Sequence, residues 1–189
     1  MMEKLEQWDK ELFLWLNGLH QDWLDQPMFY MTDKLFWIPV YVFLIVLIYR
    51  AFGWKNTLWT IAGIALVITF CDRISVEFFK EVFERYRPTH NLEIKSLVHK
   101  VNNYGGGKFG FVSSHAANFF GIAGFLYPIL SKAYGRRALW LFPWVILISY
   151  TRIYLGVHYP GDIIGGAFLG MAIGYLVYLF FKKYFLFKE

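Results

Sequence analysis

The sequence predicts an all-α integral membrane bundle of about five spanning helices, preceded by an amphipathic helix lying in the membrane interface. Three observations predict it. Hydrophobic residues make up 57% of the chain and charged residues only 17%, where a soluble domain carries nearer a quarter. Five stretches approach the ~20 apolar residues that a helix needs to cross the hydrocarbon core. Before them, residues 4–24 place Leu5, Trp8, Leu12, Trp15, Leu16 and Leu19 at helical spacing. The surplus apolar surface needs a bilayer, and the length of 189 residues fits one domain, 1–189.

Taken in order, residues 1–27 read as the interfacial helix, with Trp8, Trp15 and Trp23 at headgroup depth and Asp25-Gln26-Pro27 as its stop. If this helix inserts instead, the bundle has six spans; Asp9, Lys10 and Glu11 make that costly. The same three charges interrupt the first apolar stretch, which a cleaved secretory signal would keep continuous. The bundle itself covers 31–182, with spans at about 31–51, 57–80, 114–132, 138–154 and 162–182. The segment 85–112 is a long polar loop with Gly105, Gly106 and Gly107, and loops of this length are usually functional or disordered. Gly121 and Gly124, and Gly166, Gly170 and Gly174 spaced four apart, read as close helix contacts; the second set equally suits a homodimer face. Asn118 reads as a helix contact or as part of a side entrance.

Loop charges orient the bundle. Arg50 and Lys55, Lys132, Arg136 and Arg137, and Lys182, Lys183 and Lys188 share one side, which the positive-inside rule makes cytoplasmic. The long loop and the turn around His158 then face outward. The formal charge of +5 comes with no nucleic-acid-binding motif, so membrane topology and anion binding account for it and no nucleic-acid partner is expected. Cys71 is the only cysteine, so no internal disulfide forms.

Three clusters of polar residues fall at span ends on the outward face. In the first, Lys80 and Arg87 lie seven residues apart, two turns along one face of a continuing helix that Pro88 would end. Two such cations suit a dianionic phosphate, although a basic helix end can also snorkel to the headgroups. In the second, Ser113, Ser114 and His115 open the third span, where free backbone N–H groups attract anions; a serine cap beside an interfacial histidine is the plainer reading. In the third, Arg152 closes the fourth span, and His158 and Asp162 stand four apart across the start of the fifth. A carboxylate there can fix the imidazole tautomer, or it can cap the helix.

Together and in this order, the clusters resemble the signature of the type 2 phosphatidic acid phosphatase superfamily. Lys80, Arg87 and Pro88 match its first motif; Ser113 and His115 its second, with Val112 for proline and Ser114 for glycine; Arg152, His158 and Asp162 its third, with Thr151 for serine. The resemblance implies a metal-independent membrane phosphatase without cofactors, acting on a lipid phosphate through a phosphohistidine. In it His158 is the nucleophile, Asp162 orients it, and His115 is the acid and base. Lys80, Arg87, Ser113, Ser114 and Arg152 would hold the phosphoryl oxygens. It further implies a bacterial inner membrane enzyme with an external site, and favours undecaprenyl diphosphate or phosphatidylglycerol phosphate over phosphatidic acid or lipid A phosphates. The competing readings are a transporter or assembly subunit, which leaves the outward cations unexplained, and a vanadium-dependent haloperoxidase, a soluble relative of the signature.

Overall fold

The computed structural model describes residues 2–188, and among these the backbone is helical, with one isolated bridge pairing Tyr86 and Phe109. The helices are α1 (Met2–Asn17), α2 (Asp22–Met31), α3 (Ile38–Ile74), the short α4 (Glu81–Phe83), α5 (Ser114–Tyr134), α6 (Leu141–Tyr154) and α7 (Pro160–Tyr184). Two stretches are long and apolar enough to cross a membrane, Lys34–Phe83 and Pro160–Tyr184.

The first of these holds the two leading spans expected from sequence, joined at Gly53. Its φ of 74° and ψ of 175° suit a residue without Cβ, and the chain reverses there. Both arms, through Tyr41 to Ile48 and Ile61 to Ile68, then face α5. α5 is the central element, buried from Ala116 through most of its length to Leu130. Its seam with α7 is made by glycine. A Cβ on Gly170 would lie 2.1 Å from the Ala117 carbonyl oxygen, and one on Gly174 2.1 Å from that of Gly121. The two backbones therefore touch. Because Gly166, Gly170 and Gly174 are all buried in this seam, they offer no dimer face. Gly121 and Gly124 likewise press on α3 and α7, against Val67 and Met171.

The two ends of the bundle differ. At one, Phe187 N–H donates to Asn56, Lys132 sits 3.7 Å over the Phe187 ring, and Phe52 packs on it. This gathers the Gly53 turn, the α5 end and the chain terminus, the basic turns expected to share a side. The other end carries the long loop, the α6–α7 turn, α1 and α2.

The N-terminal segment departs from expectation. The helix stops at Asn17, and Asp25, Gln26 and Pro27 lie inside α2. Asn17 is the reason: its amide donates to the carbonyls of Ile153 and Tyr154 and accepts from His99 N–H. It thus satisfies open carbonyls at the end of α6, and the chain turns there to stay in register with them. Pro27, the sixth of the ten residues of α2, leaves the Trp23 carbonyl without its backbone donor. α1 keeps Trp8 and Trp15 exposed, but its other face is not bare: Phe13 is fully buried, edge-on to Tyr159 at 5.4 Å.

A second departure concerns Lys80 and Arg87. They do not share one continuing helix. Residues Ser75–Lys80 widen into a π-turn, the helix ends at Phe83, and Glu84 adopts a left-handed conformation. The loop supplies the competing partners: Gly110 N–H donates to the Arg85 carbonyl and Arg87 N–H to that of Lys108. Pro88 therefore follows a chain that has already left the helix.

Candidate active site

His158 sits in the turn between α6 and α7, buried at 2% exposure. Gly156, at φ 74°, makes that turn, and its bare Cα lets the chain pass Val98 and the His99 carbonyl. Asp162, wholly buried in the first turn of α7, faces the ring, with its Oδ2 3.3 Å from His158 Nδ1 and accepting Tyr159 N–H at 3.0 Å. The carboxylate both caps α7 and holds the imidazole, so the two readings of Asp162 coexist. Nδ1 is engaged and Nε2 is the nitrogen left for chemistry. Gly110 leaves room for the pair, since a Cβ there would meet Asp162 Oδ2 at 3.0 Å and Arg87 Cγ at 3.2 Å.

The cations converge on the same ring. Burial, then Arg87, Arg152 and Lys80, hold the His158 pKa well below its ordinary value, so the imidazole is neutral. Arg87 donates through Nε to the Phe109 carbonyl at 3.1 Å; burial and its neighbour Arg152 bring its pKa down to about 10, and it stays charged at neutral pH. Arg152, at 6% exposure, reaches Thr32 Oγ1 and the Tyr104 hydroxyl, while its Nε is buried without a partner. Lys80 Nζ donates to Ser114 Oγ at 2.7 Å, and Ser114 in turn lies 2.6 Å from Ser75 Oγ. The serine that stands for glycine in the second motif thus positions the lysine of the first.

Ser113 is the N-cap of α5: its Oγ accepts from Ala116 N–H, which leaves the hydroxyl proton for a further acceptor. His115, the second residue of α5, has Arg152, His158 and Lys34 around it, and its Nε2 is buried with no partner. Thr151, which replaces the serine of the third motif, keeps a hydroxyl, and that hydroxyl bonds to the Ile148 carbonyl and to Thr32. The eight residues singled out in the sequence therefore surround one point at one end of the bundle.

Sequence reasoning missed the support around them. Arg85 grips Asp162 Oδ1 with Nη1 and Asp9 Oδ2 with Nη2, both at 2.8 Å, and stacks 4.1 Å over the Tyr159 ring. Asp9 Oδ1 then accepts Gly161 N–H at 2.8 Å. Asp9 was visible as a misplaced charge on an apolar helix, and Arg85 as a third cation in the first cluster; nothing in the sequence paired them. Thr32 and Tyr104, which hold Arg152, carried no signal at all.

Known proteins resemble this chain in sequence and fold. The chain is 39% identical, over 97% of its length and 81% of the relative's, to the lipid A 4'-phosphatase of Bacteroides thetaiotaomicron. It is 35% identical, over 94% of its length and 74% of the relative's, to the lipid A 4'-phosphatase of Porphyromonas gingivalis. Its fold matches the crystal structure of a transmembrane PAP2 type phosphatidylglycerolphosphate phosphatase from Bacillus subtilis with a TM-score of 0.72, at 22% identity, covering 98% of this chain and 90% of that one. The PAP2 superfamily profile matches residues 56–186, which hold all three motifs. The chain belongs to the PAP2 superfamily and is a membrane phosphatase of the lipid phosphatase type.

Proposed function

We propose that this phosphatase hydrolyses a phosphate monoester of a lipid A-type lipid at the outer face of a bacterial inner membrane, through a phosphohistidine on His158. The observation that carries the reaction is the buried His158–Asp162 pair with Lys80, Arg87 and Arg152 turned toward it. In the first step His158 Nε2 attacks phosphorus in line, the bond from phosphorus to the lipid oxygen breaks, and His115 gives that oxygen its proton. The new P–N bond leaves the ring cationic, and Asp162 faces it. In the second step His115 takes a proton from water, the water oxygen attacks phosphorus, and the P–N bond breaks to release phosphate and neutral His158. Lys80, Arg87 and Arg152, with Ser113 and the backbone N–H groups at Ser114, meet the equatorial oxygens where charge spreads. Arginine suits this because its planar fork takes two oxygens at once.

Five crossings underlie this reading: the two arms of α3, α5, α6 with its preceding turn, and α7. Two crossings between Lys34 and the long loop, and two more before the α6–α7 turn, put all three on one face in this reading. The names of the two relatives support a lipid A phosphate ahead of the undecaprenyl diphosphate or phosphatidylglycerol phosphate expected from sequence. The test is phosphate release by the purified full chain in detergent, with lipid A, phosphatidylglycerol phosphate and undecaprenyl diphosphate side by side. Lipid A should give the highest kcat/KM, and His158→Ala should abolish turnover of every lipid while eluting as folded protein. Near-normal activity of that variant would overturn the assignment.

A further inference from the structure

An apolar cavity of about 280 Å³ opens between the two arms of α3 and α5 and reaches up to His115. Leu44, Ile48, Ile64, Ile68 and Phe119 give it hydrocarbon walls. Asn118, one turn beyond His115 on α5, also lines it and is only 6% exposed. Its Nδ2 donates to Asp72 Oδ1 at 2.8 Å. A carboxylate only accepts, so this bond fixes the amide the same way round, with Oδ1 turned from Asp72. That Oδ1 is shut off from solvent and has no partner, and the same is true of His115 Nε2 beside it. Buried polar atoms are ordinarily satisfied. Two orphans one helical turn apart, at the head of one apolar cavity, describe a ligand with a hydrocarbon body and a polar junction.

The junction can be read in more detail. His115 meets the scissile ester oxygen if the mechanism above holds, and this inference rests on that reading. Asn118 Oδ1 is an acceptor, so its partner must be a donor, which an unprotonated ester oxygen is not. We infer that Asn118 accepts a hydrogen bond from a hydroxyl or amide N–H that the leaving group carries close to its phosphorylated carbon. The site thereby selects sugar or polyol phosphates of lipids over polyprenyl phosphates, whose leaving group offers hydrocarbon alone.

The test needs no variant at first. Phosphatidylglycerol phosphate bears a free hydroxyl on the carbon next to the phosphorylated one; its deoxy analogue, built on propanediol, lacks only that donor. The wild-type full chain in detergent should turn over the parent about 10- to 100-fold faster in kcat/KM than the analogue, the effect of leaving one buried acceptor unpaired. Asn118→Leu should lose that factor on the parent and nothing further on the analogue. Equal wild-type rates on parent and analogue overturn the inference alone, as does an Asn118→Leu variant that still discriminates between them. If Asn118→Leu does not fold, the wild-type comparison decides. Absence of turnover on every lipid phosphate would instead overturn the proposed function, and this inference with it.

Discussion

Replacing Arg85 with methionine removes the guanidinium that ties Asp9 of α1 to Asp162, the carboxylate facing His158. Asp162 is wholly buried and Arg85 is 22% exposed, with 2.8 Å between their charged atoms. Breaking a buried pair by removing one partner costs about 3–5 kcal/mol, because a charge is left uncompensated. Here the low end, about 3 kcal/mol, is expected, since Arg85 is partly solvated and Asp162 keeps Tyr159 N–H. Methionine retains the packing on Tyr159, so the loss is electrostatic. The catalytic consequence is separate. With one oxygen released, Asp162 no longer fixes the His158 ring, and a misplacement near 1 Å costs roughly 100-fold. Arg85 does not face the phosphate, so kcat should fall by that factor with KM little changed. Asp9→Asn, which weakens only the outer prong, should show a smaller loss in the same direction, and Arg85→Lys should fall between. The assays are steady-state phosphate release and thermal inactivation in detergent. An Arg85→Met variant with wild-type kcat and wild-type inactivation temperature would refute the reasoning.

Three further outcomes follow from the same geometry. The depressed pKa of His158 means that the unfolded chain binds a proton below about pH 6.5 that the native state refuses, so stability is full above that pH and declines as pH falls below it; denaturant midpoints from pH 8 to 5 measure this, and kcat/KM should show no acid limb at 6.5 from the nucleophile. Gly170→Leu forces a side chain into a 2.1 Å gap bounded by backbone, which overpacking costs of about 1–3 kcal/mol understate, and folded protein in detergent should be lost on size-exclusion. Ser114→Ala frees Lys80 from its 2.7 Å partner and should raise KM about 10-fold with kcat nearly intact, the loss of a hydrogen bond to a charged group; an unchanged KM would separate Lys80 from phosphate binding.

Much of the site was legible because chemistry and helix ends coincide in the sequence. His115 and His158 each stand beside a span boundary, and a boundary is readable from hydropathy and from Pro160. His158 and Asp162 stand four apart across the start of α7, close enough in sequence for their pairing to be read from the helix boundary. Lys80 and Arg87 converge too, but by a route that periodicity misstates, since the loop's backbone bonds to Arg85 and Arg87 outcompete continued helix. The Arg85–Asp9 pair joins residues 76 apart, and such ion pairs leave no periodic trace. The break after Asn17 was hidden for the same reason: its partners lie at His99, Ile153 and Tyr154. Asn118 reads from sequence as a helix contact or as part of a side entrance; its Nδ2 makes a helix contact, to Asp72, and its Oδ1 does not.

The glycine seam between α5 and α7 has a mechanical consequence. Backbones in direct contact neither part nor slide without losing their whole interface, so the helices bearing His115 and Asp162 behave as a fixed anvil. The two arms of α3, joined at Gly53, stand outside that block and wall the apolar cavity from the other side, so any change in the width of the cavity falls to them.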